Sequence, residues 1–321
     1  MKLKKAPNGM LYYQSQDEVV LYTIDRSLTG SVDIPDNITT IHQHAFDGCR
    51  HITSIHMPES LVDFPVKAFE ECTRLERYIV SPRNPKYESD DDGVLYTKNK
   101  TALLRAPVKL TGFYVIPNEV KRIEESAFRS CKGITTLILP DSLVHIGQDA
   151  FRGCNGLFHI VIPKSVTHIG KKAFYECELL SKISVDSNNK YYCNDDKCVL
   201  FNKKQTKLIY APTTMSGHYD VPNGVVSIEE RAFAKHKRLA GVSFPSTLTH
   251  IRSGAFAECA KLATFNFEDG LRGISSVAFT KCTSLRFVTL PNTTHRHTIS
   301  PLALSNQHFL YKKAVATATA F

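Results

Sequence analysis

The amino-acid sequence is built on a unit of 23 residues, the distance from Pro140 to Pro163, that returns along most of the chain. Its clearest copy, residues 162–185, reads IPKSVTHIGKKAFYECELLSKISV, with an Ala-Phe pair at Phe174 and a cysteine at Cys177. Apolar residues that recur at constant phase are the signature of a repeat protein, in which each unit buries its apolar edge against its neighbours. The copies occupy residues 34–57, 57–80, 116–139, 139–162, 162–185, 221–244, 244–267 and 267–290. The chain is therefore expected to form a solenoid.

Three segments that lack this unit resemble one another. In each, two short apolar, aromatic-rich runs flank a polar turn, which is a hairpin signal. Residues 81–185 return as 186–290 without a gap, so that Asn84 corresponds to Asn189 and Tyr114 to Tyr219. The sequence predicts one continuous solenoid domain. Its segments are an N-terminal hairpin cap (1–33), two repeats (34–80), a hairpin insertion (81–115), three repeats (116–185), a second hairpin insertion (186–220), three repeats (221–290) and a C-terminal cap or tail (291–321).

Within one repeat, three local structures are predicted. Residues 157–163 alternate apolar and other side chains before a proline, which is typical of a short strand. Stacked copies of this main strand would form a parallel sheet. Val166 and Ile169 then point inward in a second short strand segment, and the Ala-Phe-x-x-Cys stretch places Ala173, Phe174 and Cys177 on the inward side of a short helical turn.

The motif [I/V/L]-P-x-x-[V/L]-x-x-I-x-x-x-A-F-x-x-C-x-x-L-x-x-I resembles the BspA-like class of leucine-rich repeats. The resemblance implies an α/β repeat fold that consists mostly of β-structure. It would be a right-handed, curved leucine-rich-repeat solenoid with a parallel sheet, short helical turns and three inserted β-hairpin segments. It also implies, as in many members, display on a cell surface and adhesion to host matrix or other cells. It supplies no catalytic residues. The sequence departs from the motif at His236 in place of Cys, Phe64 in place of Ile and Glu268 in place of Pro.

Composition sets limits on function. The 40 Lys and Arg outnumber the 31 Asp and Glu, a net charge of +9 that would attract any polyanion. No apolar run is long enough for a membrane span, and the N-terminus lacks the apolar core of a signal peptide. The sequence contains no GxSxG, GxxxxGK[ST] or HExxH motif, so that no enzyme activity and no cofactor are expected.

Cysteine, histidine and aspartate each suggest a site, and each has a simpler explanation. The seven repeat cysteines share an inward slot that suits a reduced, buried thiol better than a disulfide or a metal. Cys193 and Cys198 lie outside that slot, and whether they pair stays open. His145, His168 and His250 share one exposed position, where a polar strip is favoured over a metal or pH-sensitive patch. For Asp90–Asp92 a turn is favoured over a calcium site.

Two surfaces are predicted to bind a partner. On the outward face of the main strands the mixed side chains suit protein contact better than a nucleic-acid groove. These candidates are His56, Arg77, Ile79, Ile138, His159, Val161, Lys182 and Phe287. A basic loop, which would suit a sulfated glycan, contains Arg231, Lys235, Lys237 and Arg238.

The predicted function is a non-enzymatic solenoid of the cell surface, or a secreted one, that binds a protein or glycan partner such as host matrix. An intracellular interaction scaffold and a polyanion binder are the alternatives.

Overall fold

The computed structural model describes residues 2–6, 9–268, 270–290 and 310–313. It divides into two compact units. The first takes Met1–Leu157 with His168–Ala173, and the second takes Phe158–Thr167 with the residues from Phe174 onward. Both units consist of stacked rungs of short strands, so that the predicted solenoid with parallel sheets is confirmed. Of the predicted tail, only Leu310–Lys313 falls within the described residues, where it forms a strand parallel to the preceding one.

Each rung begins with a main strand whose alternate side chains are buried. Parallel pairing sets equivalent residues of successive repeats side by side, as in Ile160 with Ile183 and His159 with Lys182. Ile160 and Ile183 are buried, whereas His159 is half-buried and Lys182 exposed, as the two-residue period of a strand requires. Numbered in chain order, the main strands are β4 (Gly30–Asp33), β6 (Ile52–Met57), β7 (Arg77–Val80), β11 (Thr111–Val115), β13 (Gly133–Ile138), β15 (His159–Ile162), β17 (Lys182–Val185), β21 (Gly217–Asp220), β23 (Leu239–Ser243), β25 (Thr264–Asn266), β27 (Phe287–Leu290) and β28 (Leu310–Lys313).

A second, two-residue strand follows in most rungs. Its first residue is polar in every copy except Gly273, and its second is an inward isoleucine. The copies pair in parallel, as Arg122 does with His145 and His145 with His168. These strands are β5 (Thr40–Ile41), β12 (Arg122–Ile123), β14 (His145–Ile146), β16 (His168–Ile169), β22 (Ser227–Ile228), β24 (His250–Ile251) and β26 (Gly273–Ile274).

The Ala-Phe-x-x-Cys stretch differs from the predicted helical turn. Among the described residues it is helical only as the 3-10 helix Val66–Phe69, and elsewhere it is a series of turns. The reason is left-handed backbone two residues before or two residues after the phenylalanine, at Ser126, Ser130, Asp149, Lys172, Glu176, Arg231, Lys235, Glu258 and Lys281. Such residues interrupt a right-handed helix. The stretch instead bonds to the next rung: the Phe128 N–H donates to the Ala150 carbonyl at 2.7 Å.

The hairpin segments are rungs of the solenoid as well as hairpins. In the second one, β9 (Leu95–Thr97) pairs antiparallel with β10 (Ala102–Arg105), but β10 then pairs in parallel with β12 and β11 with β13. Each hairpin segment thus supplies one strand to the sheet of main strands and another to the sheet of two-residue strands. In such a segment the hairpin takes the place of the Ala-Phe-x-x-Cys turn. The hairpin strands are β1 (Lys4–Lys5), β2 (Leu11–Gln14), β3 (Val19–Thr23), β8 (Tyr87–Ser89), β9 (Leu95–Thr97), β10 (Ala102–Arg105), β18 (Tyr192–Asn194), β19 (Leu200–Asn202) and β20 (Lys207–Tyr210).

The cysteine slot lies in the core, where the thiol also donates a hydrogen bond. The Sγ of Cys154 lies 3.1 Å from the Phe128 carbonyl of the preceding rung, and Cys259 repeats the contact on Phe233 at 3.0 Å. All seven repeat cysteines are buried, and none of these seven is in a disulfide bond. Cys193 and Cys198 also form no disulfide bond, because Cys193 faces Phe201 across the hairpin while Cys198 lies in its turn.

Candidate interaction surfaces

The main-strand face of the first unit begins with a polar pair. His56 lies beside Ile79 on the next strand and beside Asp33 on the preceding one. The Nδ1 of His56 is 3.2 Å from the Asp33 carboxylate. Arg77 is exposed at the start of β7. These predicted residues therefore share one sheet, but His56 already has a partner within it.

Farther along the same unit, this face becomes apolar. Phe113 and Val115 on β11 are 65% and 52% exposed, and Ile138 on β13 is 44% exposed. Val115 and Ile138 are direct neighbours in the parallel ladder. Only Ile138 was among the residues predicted from sequence. The missed pair lies in a segment interpreted as an insertion, although its run FYVIP has the same alternation before proline as the repeats do.

The second unit carries His159, Val161 and Lys182 on its first two main strands. His159 contacts Ser184 at 3.1 Å, and the pKa of His159 is lowered by burial and by the charge of Lys182. Val161 is exposed beside Ser184. Phe287 lies on β27, and its side chain is outside the described part of the structure.

At β21 and β23 the main-strand face is polar and borders a surface depression. His218 and Ser243 are bonded at 2.6 Å, and Asp220 lies 3.2 Å from the same Nε2 atom. A serine hydrolase needs the carboxylate on Nδ1, so that this arrangement is not a catalytic relay. Gly241 makes room for the imidazole, because a Cβ there would lie 2.5 Å from His218 Nδ1. Beside it is a depression of about 570 Å³ lined by Thr264 and Asn266, among others.

The predicted basic loop is only partly available to a ligand. The Arg231 guanidinium lies over the Tyr175 ring at 5.1 Å, and Lys235 forms an ion pair of 3.1 Å with Glu176. These contacts join residues that a hairpin segment separates in the sequence. Lys237 and Arg238 are exposed and line a smaller hollow of about 280 Å³.

The other candidates have structural roles. The rings of His145 and His168 stack at 4.5 Å, and the pKa of His145 is lowered by burial, by Arg122 and by His168. Within the described ranges, no group of three or more His, Cys, Asp or Glu side chains is placed to hold a metal ion. Asp90 forms the predicted turn: one carboxylate oxygen accepts from the Val94 N–H at 2.8 Å and the other from the Tyr114 hydroxyl.

The chain belongs to the BspA type leucine-rich repeat family, whose region matches in six copies over residues 23–91, 108–211 and 210–313. The resemblance stated from the sequence motif is therefore confirmed. None of the curated proteins matches the chain.

Among solved structures, the fold is similar to a leucine rich cell surface protein from Faecalibacterium prausnitzii A2-165, with 22% identity, a TM-score of 0.61, and coverage of 92% of this chain and 90% of that one. A leucine-rich repeat protein from Eubacterium ventriosum ATCC 27560 matches with 24% identity, a TM-score of 0.57 and coverage of 79% and 65%. The pneumococcal vaccine antigen PcpA matches with 16% identity, a TM-score of 0.51 and coverage of 92% and 88%. At these identities the likeness concerns the fold. No helix in the described part has the length and apolar character to cross a membrane.

Proposed function

We propose that the chain is a non-enzymatic protein-binding solenoid that uses its main-strand face. The observation that carries this proposal is the exposed apolar cluster of Phe113, Val115 and Ile138, hereafter the apolar face. Its members lie on adjacent, hydrogen-bonded strands, so that they are held in fixed relative positions.

The free-energy cost of exposing this cluster grows with its apolar area. Each large apolar side chain gains about 1.5–3 kcal/mol when it is removed from water. Contiguous apolar surface on a soluble protein therefore marks an interaction site more often than a chance exposure. A rigid strand face also loses little conformational entropy on binding.

The partner and place that we propose are an extracellular protein, such as host matrix, at a cell surface. Two of the similar structures support this, because one is a cell surface protein and another is a vaccine antigen. The second candidate is an intracellular interaction scaffold. This second candidate is favoured by the nine cysteines, none of which is in a disulfide bond, since disulfides are common in oxidising compartments and rare in the cytosol.

The chain contains its own control for this proposal, because His218, Asp220 and Ser243 stand 105 residues after Phe113, Val115 and Ile138. The test variant Phe113→His/Val115→Asp/Ile138→Ser gives the first surface the side chains of the second. Both proteins would be passed over immobilised matrix proteins and mucins by biolayer interferometry. We expect saturable binding of the wild type to at least one of them and a loss of about tenfold or more in the variant.

Equal binding by the folded variant would refute the role of the apolar face. Absence of wild-type binding to every extracellular probe would count against the surface-adhesion proposal. The polyanion alternative predicts that Lys237→Glu/Arg238→Glu abolishes binding to heparin, and that binding falls steeply with added salt. Binding unchanged by salt would remove that alternative.

A further inference from the structure

The N-terminal hairpin carries a strip of aromatic rings on its surface. The rings of Tyr13 and Tyr22 lie 6.3 Å apart, Tyr22 and His42 5.2 Å, and His42 and His44 5.5 Å. Tyr22 is 42% exposed and His44 is exposed, while the other two rings are half-buried. These four residues, the aromatic strip, run from β2 across β3 and β5 into the following turn.

Polar groups hold one end of the strip in place. The Nδ1–H of His44 donates to the Asp47 carboxylate at 2.9 Å, so that its Nε2 accepts from the Gln43 amide at 2.9 Å. The backbone N–H of His44 contacts Nδ1 of His42 at 3.4 Å, which leaves Nε2 of His42 as the donor of the neutral ring. The rings are therefore oriented before any ligand arrives.

The strip is specific to this hairpin. Strand pairing places Leu21 opposite Ile41 as it places Leu103 opposite Ile123. Tyr22 thus corresponds to Leu104, which is buried, and His42 corresponds to Glu124. On the outer hairpin strand, Tyr13 corresponds to Thr97 by the same register. Since the other hairpins fold without these rings, the fold itself does not require them.

We infer that the aromatic strip is a binding site for a neutral glycan chain. A hexose ring offers one face of C–H groups with hydroxyls around its rim. The electron-rich faces of aromatic rings attract such C–H groups. The amide of Gln43, the imidazole of His42 and the carboxylate of Asp47 are suited to the hydroxyls.

The charge at the strip selects a neutral ligand over a nucleic acid. Single-stranded nucleic acid also stacks on aromatic rings, but its binding sites combine the rings with a positive groove. Here the charged group in contact with a described ring of the strip is the Asp47 carboxylate, which would repel phosphates and sulfates. Lys4 and Lys5 lie on the adjacent strand β1, where the Lys4 ammonium is hydrogen-bonded to the Gln14 side chain at 2.9 Å. The aromatic strip and the apolar face have no residue in common, so that an experiment can refute either proposal without refuting the other.

The test uses calorimetric titration of the full chain with neutral linear hexasaccharides of β-1,4-linked glucose, β-1,4-linked N-acetylglucosamine and α-1,4-linked mannose. The variant Tyr13→Thr/Tyr22→Leu carries the residues of the second hairpin. We expect saturable binding of at least one glycan by the wild type, unchanged at high salt, and a loss of about tenfold or more in the variant.

Two further variants make the outcome specific. Tyr191→Leu removes another exposed tyrosine and should bind as the wild type does. The apolar-face variant should also bind normally. Failure of the wild type to bind any of the three glycans, undiminished binding by folded Tyr13→Thr/Tyr22→Leu, an equal loss in Tyr191→Leu, or binding that disappears at high salt would each overturn the inference.

Discussion

Residues 81–185 and 186–290 have the same length and the same rungs, yet their outer faces differ in kind. The first copy exposes the apolar face, while the second presents His218, Asp220 and Ser243 bonded to one another. Their interiors agree closely, since Asn84 and Asn189 are both buried at equivalent positions. The comparison shows that stacking fixes inward residues and leaves outward residues free to acquire different partners.

The largest expected loss of stability comes from replacing a buried asparagine, and it should be the same in both copies. Asn84 donates from Nδ2 to the Pro58 and Leu61 carbonyls, and its Oδ1 accepts from two backbone N–H groups. Asn189 repeats all four bonds one block later. Replacing either by Ala leaves buried backbone groups without partners, at a cost of about 3 kcal/mol or more.

Urea unfolding with hydrogen exchange would measure this loss. The exposed neighbour Asn188→Ala is the matched control and should change stability little. A cost in Asn84→Ala with none in Asn189→Ala would show that the two copies differ inside as well as outside.

The second expected difference between the copies is the pH dependence of their stability. Cys131 donates to the Pro107 carbonyl, and in the second copy His236 occupies the slot and contacts the Pro212 carbonyl through Nε2 at 2.8 Å. Burial lowers the pKa of His236 to about 4, against about 6.5 in an unfolded chain. The unfolded state therefore binds the proton first, and stability falls as the pH drops from about 6.5 to 4, by up to about 3 kcal/mol.

The variant His236→Cys should remove that pH dependence, because a buried thiol stays neutral throughout the range. Burial raises the pKa of Cys131 to about 12 in the same slot. Unfolding of the two proteins would be compared between pH 7 and 4.5, since carboxylates titrate equally in both. Parallel stability curves would contradict a neutral, buried His236.

Much of the fold could be predicted because stacking imposes a period that the sequence displays. Phe128, Phe151 and Cys154 lie in the core slots expected from the motif. The turn conformation could not be predicted in the same way. Lys235 and Glu258 are good helix formers, but they have left-handed backbone and donate their N–H groups to the Ala257 and Thr280 carbonyls of the neighbouring rung, which is a tertiary effect.

The candidate sites were less predictable for a related reason. Arg231 and Lys235 form part of a basic cluster in the sequence, but Tyr175 and Glu176, which engage them, come before the intervening hairpin. The aromatic strip likewise joins residues from β2, β3 and the turn that follows β5. Periodicity reports which residues point inward, whereas it contains no information on which outward residues meet.

A smaller difference concerns the hairpin cores. The Tyr96 hydroxyl contacts Tyr114 and lies 3.3 Å from the Asp90 carboxylate, while Phe201 stands at its position in the second copy. Tyr219 still reaches Asp195 there at 2.7 Å. Tyr96→Phe should therefore cost only about 1 kcal/mol, because the Tyr114–Asp90 bond remains. A loss several times larger in urea unfolding would mean that the two hairpins are not equivalent scaffolds.

The smallest effect concerns the ion pairs that join rungs on either side of a hairpin. Glu70 pairs with Arg129 at 3.3 Å in the first unit, and Glu176 with Lys235 at 3.1 Å in the second. Burial lowers the pKa of Lys235, but the hydrogen bond and charge of Glu176 outweigh it and raise that pKa overall. Both side chains of this pair are less than a third exposed, so that salt screens them only partly.

Glu176→Gln should cost about 0.5–1 kcal/mol at low salt and less at high salt, and Glu70→Gln should behave alike. The exposed Glu178→Gln is the control and should be neutral. Thermal unfolding at two salt concentrations would measure all three. Because the stacked rungs already share a core, a loss of several kcal/mol in Glu176→Gln would mean that the ion pair, and not apolar packing, holds the second unit together across its hairpin.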